Sequence, residues 1–387
     1  MLEIKNIVVI TQQSVGRNSE LTFNFCNSFG IESSWEDLTT TAKITMPRKI
    51  IVKNKNNGDV SLYDTTFNVG GFNNDTPLIL KGDAIQIYAG YKYRDKLGVW
   101  QNSTSLWFDG FVSGITPNKP FVIKCEDYSW KLKQLPAVQK IWKGYTINQM
   151  LTEMLSGTDI TLNVTSNIGI TYDVGYFDST GLSVSQVLDK LRKEANLYSY
   201  IRGRELRVGY PVYVESEAKT HTFEFQKNII ENDLEYKRKE DVVLSALLKY
   251  TETEQNGTTK DGAAKTRQKG KQILIYYKNN EFRVEDVVNG KAPEAVEGER
   301  RTFNYLPNTS RDVMIADGKE RLKKYYYTGF RGSITVFGYP FVQHGDNIKI
   351  INPVLNEMQN TYKVKKVVYS GGVNGLRQEI TIDFKTA

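Results

Sequence analysis

Histidine and cysteine are the scarcest reactive residues of this chain, two of each: His221, His344, Cys26 and Cys125. Two widely separated cysteines cannot supply a zinc cluster, and no H-E-x-x-H, G-x-S-x-G, Walker A or EF-hand pattern occurs. Each cysteine sits in a strand-like run, where a small buried thiol is the ordinary role rather than a disulfide. No apolar run is long enough to span a bilayer, and Met1 to Ile10 lacks the apolar stretch of a secretion signal. These absences predict no metal, no cofactor, no membrane-spanning segment and folding in a reducing cytoplasm. Sequons such as Asn256-Gly257-Thr258 then carry no glycosylation message.

What is present favours strands. Tyrosine (23) and phenylalanine (17) are plentiful and β-branched residues common, so a mainly β fold with some α+β is expected. Lysine and arginine number 51 against 44 acidic residues, a net +7 over 387 positions. Charge so dispersed reads as a solvated exterior.

Three regions follow from periodicity. Residues 1–130 alternate with period two: Leu21, Phe23 and Phe25; Ile85 and Ile87; Phe121, Ile123 and Cys125. Asn57-Gly58-Asp59 and Gly70-Gly71 supply turns. Residues 131–215 read as a small α/β domain. Thr146-Ile147-Asn148-Gln149 and Ser183-Val184-Ser185-Gln186 are capping-box patterns, each opening a stripe at helical spacing. Strands Tyr198–Arg202 and Glu205–Gly209 should pair across Gly203-Arg204. Residues 216–387 return to β, with a polar connection over 251–271 expected to be a mobile loop and a helix over 311–326.

A faint repeat links the outer regions. Lys81-Gly82-Asp83-Ala84-Ile85-Gln86-Ile87 matches His344-Gly345-Asp346-Asn347-Ile348-Lys349-Ile350, and two strand-like segments follow each copy. Duplication predicts two similar β-barrels whose turns superpose, with Ile85, Ile87, Ile348 and Ile350 inward. Gly82, Asp83, Gly345 and Asp346 are the expected structural turn residues, the aspartates tightening each turn through local backbone bonds.

Searching for chemistry yields little. His344 beside Asp346 lacks an elbow-held serine. Glu36-Asp37 and Glu126-Asp127 are adjacent along strands, and adjacent residues point to opposite faces, unlike a glycosidase pair. Trp100, Trp107 and Phe108 could stack on sugars, which keeps a glycan-binding or carbohydrate-active β-protein as the alternative; core packing is their commoner fate. Lys363, Lys365 and Lys366 read as a solvated strand face. No catalytic residue is expected.

Segment order carries a resemblance. Gly332-Ser333-Ile334-Thr335-Val336, Gly338-Tyr339-Pro340, Gly345-Asp346, Tyr362-Lys363-Val364 and Gly375-Leu376-Arg377 follow one another. Earlier come Gly110-Phe111-Val112, Cys125-Glu126-Asp127 and Gly181-Leu182-Ser183-Val184. In this order the chain resembles the phage tail baseplate hub family: the hub of phage Mu, late control protein D and the hub part of type VI secretion spike proteins. The resemblance implies a non-enzymatic homotrimer in the tail of a virion, made in the bacterial host cytoplasm. It further implies contacts with a sixfold tail tube protein and a threefold tail spike protein, with phage DNA passing through a central channel. Ending at Ala387, the sequence carries no appended lysozyme or needle, so no wall-degrading role is expected of it.

Overall fold

Alternating burial dictates most of this backbone, seen in a computed structural model. The structure describes residues 2–14, 17, 19–47, 49–52, 65–68, 72–73, 76–116, 120–164, 174–209, 218–258, 264–278, 281–287, 299–305, 309–355 and 358–386. The first region runs β1 (Leu2–Thr11), β2 (Glu20–Phe23), β3 (Ser28–Ser34) and β4 (Thr41–Met46). Short strands β5 (Lys49–Val52), β6 (Thr65–Asn68), β7 (Phe72–Asn73) and β8 (Thr76–Pro77) come next. It closes with β9 (Ala84–Arg94), β10 (Trp100–Asn102), β11 (Ser105–Thr116) and β12 (Phe121–Glu126).

Ile85, Ile87, Phe121, Ile123 and Cys125 are buried, as one face of a half-covered sheet requires. Phe25 departs from the expected alternation. The strand ends at Phe23, a bend follows at Asn24, and Phe25 turns out to 49% exposure while Cys26 enters the core. The turns expected at Asn57-Gly58-Asp59 and Gly70-Gly71 lie outside the described residues.

The middle region begins with α1 (Ser129–Gln134), β13 (Ile141–Lys143), α2 (Ile147–Met154) and β14 (Thr161–Val164). It continues with β15 (Tyr176–Asp178), α3 (Val184–Ala195), β16 (Tyr198–Arg202) and β17 (Glu205–Gly209). Thr146 and Ser183 cap α2 and α3 with the reciprocal Gln149 and Gln186 bonds in place. Asn196 ends α3 in the left-handed region at φ 52°, a conformation asparagine tolerates. Strands β16 and β17 pair antiparallel across Gly203, and β14 adds in parallel to β17.

The last region holds β18 (Thr220–Glu224), β19 (Ile229–Lys237), β20 (Leu244–Thr258), β21 (Ala264–Lys278), β22 (Glu281–Asp286) and β23 (Glu299–Asn304). After α4 (Arg311–Tyr325) come β24 (Gly329–Phe337), β25 (Asn347–Ile351), β26 (Asn360–Gly372) and β27 (Arg377–Lys385). The polar connection expected over 251–271 is corrected: pairing runs outward from Ser245↔Tyr276 to Thr258↔Ala264, making one long hairpin. In backbone register Tyr250 stands opposite Lys271 and Thr251 opposite Gly270, so the pairing of the apolar strand bases continues without a break into the polar stretch.

A single large sheet joins the outer regions in the order β19-β24-β27-β26-β3-β4-β12-β11-β9-β1-β2. Its seam is β26 against β3, from Lys366↔Ser34 to Gly372↔Ser28. The fold is mainly β, and no helix among the described residues is long and apolar enough to cross a membrane.

The two caps give the first expected outcome. Thr146→Ala and Ser183→Ala should each cost about 1 kcal/mol by urea unfolding. A loss within error for both variants would mean that tertiary packing, not capping, fixes these helix starts.

Candidate functional site

The two Gly-Asp turns are built alike, atom for atom. In the first, Gly82 sits at φ +93°, and in the second Gly345 sits at φ +83°, a backbone region that favours glycine. Asp83 N–H donates to Leu80 O (3.2 Å) and Asp346 N–H to Gln343 O (3.1 Å). Each carboxylate then reaches back over its turn: Leu80 N–H donates to Asp83 Oδ2 (2.8 Å), Gln343 N–H to Asp346 Oδ2 (3.0 Å). Forward contacts repeat too. Gly82 N–H donates to Val112 O and Val112 N–H to Asp83 O; Gly345 N–H donates to Val364 O and Val364 N–H to Asp346 O, all at 2.8 Å.

Strand order after each turn is the same. β9 leads to β11 and β12 in one copy, β25 to β26 and β27 in the other. The register slips at Val112/Gly114 in the first and at Val364/Lys366 in the second, so the same bulge recurs. Ile85, Ile87, Ile348 and Ile350 are all fully buried.

Both aspartates are almost sealed from water, at 2% and 1% exposure, and a buried carboxylate must be compensated. Arg17 grips Asp83 with both terminal nitrogens, at 2.9 Å to Oδ2 and 3.1 Å to Oδ1. At Asp346 the work is divided: Arg202 Nη2 lies 3.4 Å from Oδ1 and His221 Nε2 lies 3.1 Å from Oδ2. Burial opposes charge on Asp346, but His221, the Gln343 N–H and Arg202 outweigh it and hold the carboxyl below its usual range. Arg17, Arg202 and His221 carried no sequence signal, because each meets its aspartate from a distant segment.

His344 has a serine after all. Its Nδ1 lies 2.7 Å from Ser33 Oγ, which lies 3.2 Å from Thr40 Oγ1. The carboxylate that would complete a triad is turned away, since the bonds drawn for Asp346 go to Gln343, Arg202 and His221. Ser33 stands in a regular strand and is itself buried. Burial and the Arg202 charge push His344 down to about 3, against a weaker pull from Asp346 and with help from Arg207. A cavity of about 180 Å³ adjoins it, lined by Ser33, Thr40, Asp109, Asp127, Arg202 and Tyr369 among others. This is a junction of three regions joined by buried polar contacts.

The sugar-stacking residues are dispersed. Trp107 and Phe108 are buried, Trp107 stacking on Phe341 at 5.4 Å, while Trp100 lies exposed between Lys92 and Arg94. The four carboxylates are separately engaged: Glu36 with Lys365, Asp37 with Arg192, Glu126 with Lys133, and Asp127 with the Thr40 and Ser129 N–H groups. Lys366 pairs with Glu32. Among the described residues no group of three His, Cys, Asp or Glu is placed to hold a metal.

No protein-family model matches the chain, and no curated protein does. Solved structures do. The tail protein from Neisseria meningitidis MC58 aligns over 99% of this chain and 96% of its own, with a TM-score of 0.54 at 13% identity. The 43 kDa tail protein of prophage MuSo2 from Shewanella oneidensis aligns over 98% of both chains, with a TM-score of 0.52 at 12% identity. The chain has the fold of these tail proteins.

Two outcomes are expected of this junction. Asp83→Ala strands a half-buried Arg17 and the Leu80 N–H, and Asp346→Ala strands Arg202 and the Gln343 N–H; each should cost about 3–5 kcal/mol in urea unfolding. Losses under 1 kcal/mol would remove the turns from any central structural role. His344 sets the second. The unfolded chain binds its proton near pH 6.5, the folded chain only near 3, so the stability it contributes is complete above 6.5 and is lost as pH falls towards 3. Asp127 and Asp383, raised to about 6 by burial, act in the opposite sense between about pH 4 and 6. They cancel when His344→Gln is compared with the parent. The stability gap between the two should therefore shrink from pH 7 to 4, and a constant gap would refute the assignment.

Proposed function

We propose that the chain is the structural baseplate hub of a phage or phage-like tail, a homotrimer adapting a sixfold tube to a threefold spike. The observation that carries this is the duplicated turn: the same glycine conformation, the same backbone bonds and the same bulge recur around Asp83 and Asp346. Three subunits with one such module each could meet only three equivalent sites of a tube. With two modules per chain, a trimer presents six. In this reading residues 1–130 and 216–387 are the two modules and 131–215 is the inserted α/β unit. The tail tube protein binds across the six modules, the spike protein binds the threefold face, and phage DNA passes along the axis.

The fold shared with two tail proteins supports the reading. The role in this reading is structural, not enzymatic: the buried carboxylates of Asp83 and Asp346 are committed to holding their turns. The glycan alternative draws no support from Trp107 and Phe108, which are core residues.

Electron microscopy of the purified protein should show threefold rings with six lobes, and light scattering a mass three times that of the chain. Rings of another symmetry would overturn the proposal. So would a monomer at every concentration, both alone and with the spike protein of the same tail.

A further inference from the structure

The correspondence of the two modules extends beyond the turns, and one of its members is uncovered. Val112 matches Val364 through the turn bonds. From there Ile115↔Ile123 matches Val367↔Ile380, and Ile123↔Ile44 matches Ile380↔Ile334. One strand further, Phe29↔Ile44 matches Asn232↔Ile334. Thus β11, β12, β4 and β3 of the first module correspond to β26, β27, β24 and β19 of the second.

Inside the chain, β3 is covered on both edges. β4 lies along one and β26 along the other, with Lys366↔Ser34, Val367↔Ser33 and Val368↔Glu32 in register. On β26 this contact occupies the same edge that holds β25 at Asn360–Ile350, because β27 takes the opposite edge. The middle of β3 is accordingly buried at Phe29 and Ile31. Its counterpart β19 pairs with β24 alone among the described strands, and the matching Asn232 is exposed and Leu234 only half-buried. The counterpart edge of β11 is open as well. β9 covers it from Ser105 to Phe111 and the turn covers Val112, but Gly114–Thr116 have no strand there among the described residues. Ile115 is half-buried where its match Val367 is sealed.

Each chain therefore carries both halves of a junction that it completes only once. We infer that β19 of one subunit pairs antiparallel with the Gly114–Thr116 edge of its neighbour, repeating between chains the β3–β26 seam within the chain. The inference rests on the hub reading and deepens it by naming the contact. Transfer of the internal register gives Gly114 opposite Lys237, Ile115 opposite Tyr236 and Thr116 opposite Glu235. The contact joins unlike patches, so it propagates head to tail and closes when the rotation closes. It also removes two unpaired strand edges, which otherwise invite open-ended association.

The register can be tested by cross-linking. Bonded pairs at Trp35/Lys365 and Asn27/Val373 place the Val368/Glu32 match between ladder bonds, where facing Cα atoms are about 4.5 Å apart and a disulfide fits. Thr116→Cys combined with Glu235→Cys, oxidised in the full-length protein, should give covalent species that stop at three chains on a non-reducing gel. The single variants, and Thr116→Cys with Asp233→Cys two residues out of register, should not. Native Cys26 and Cys125 are buried and do not compete. A protein that scatters as a trimer but does not cross-link overturns the edge pairing and leaves the hub reading standing. Equal cross-linking by the out-of-register pair overturns the register. A chain that neither cross-links nor associates at any concentration, both alone and with the spike protein of the same tail, overturns both readings.

Discussion

A carboxylate taken out of water must be fully bonded, and the Gly-Asp turns place one such carboxylate in each half of the large sheet. Surface pairs such as Lys5–Glu3 or Lys193–Asp189 contribute little, because water screens them. Asp83 and Asp346 are different, because removing a partner from a buried charge costs far more. Satisfying each aspartate takes a backbone N–H three residues earlier and a cation from elsewhere. The same turn also exchanges two bonds with the strand opposite, which sets where β9 meets β11 and β25 meets β26. Register, bulge and inward isoleucines all follow from that starting point.

The copies share this frame and differ in what surrounds it. The first turn is closed locally: Arg17 and the Gln13 N–H come from the segment joining β1 to β2, and β1 runs antiparallel to β9. The second recruits distant parts. Arg202 arrives from the α/β unit, His221 from β18, and β18 runs parallel to β25. Ser33 of the first region bonds His344 beside the second turn. The asymmetry therefore does mechanical work, tying the α/β unit and the first module to the second at one buried point.

Features encoded over short spans were legible in the sequence. The alternation at Ile85 and Ile348, both capping boxes, the Tyr198–Gly209 hairpin and the helix after Arg311 each depend on residues a few positions apart. What escaped depends on distant partners. Nothing near Asp346 announces Arg202 or His221. The stretch over 251–271 read as a loop because its residues are polar, whereas the backbone pairing runs on through it from the strands at either end, a continuation that apolar periodicity does not register. Phe25 misled for the opposite reason: the alternation continued on paper after the backbone had bent at Asn24.

The insertions show how one module can diverge without losing its frame. Between β3 and β4 the chain crosses directly, whereas between their counterparts β19 and β24 it detours through β20–β23 and α4. That detour packs on itself. Gly318 lets α4 approach β20 so closely that an added Cβ would meet Leu248 at 2.9 Å, and Asp317 and Arg321 form a buried pair at 2.6 Å within α4. The strand pair it interrupts is fixed independently, for Gly332 at φ +122° brings its backbone against Asp233 O where no side chain would fit. Because the β19–β24 register has its own lock, the insertion adds a layer without shifting the sheet edge. Two halves with little sequence in common can thus keep equivalent strand edges.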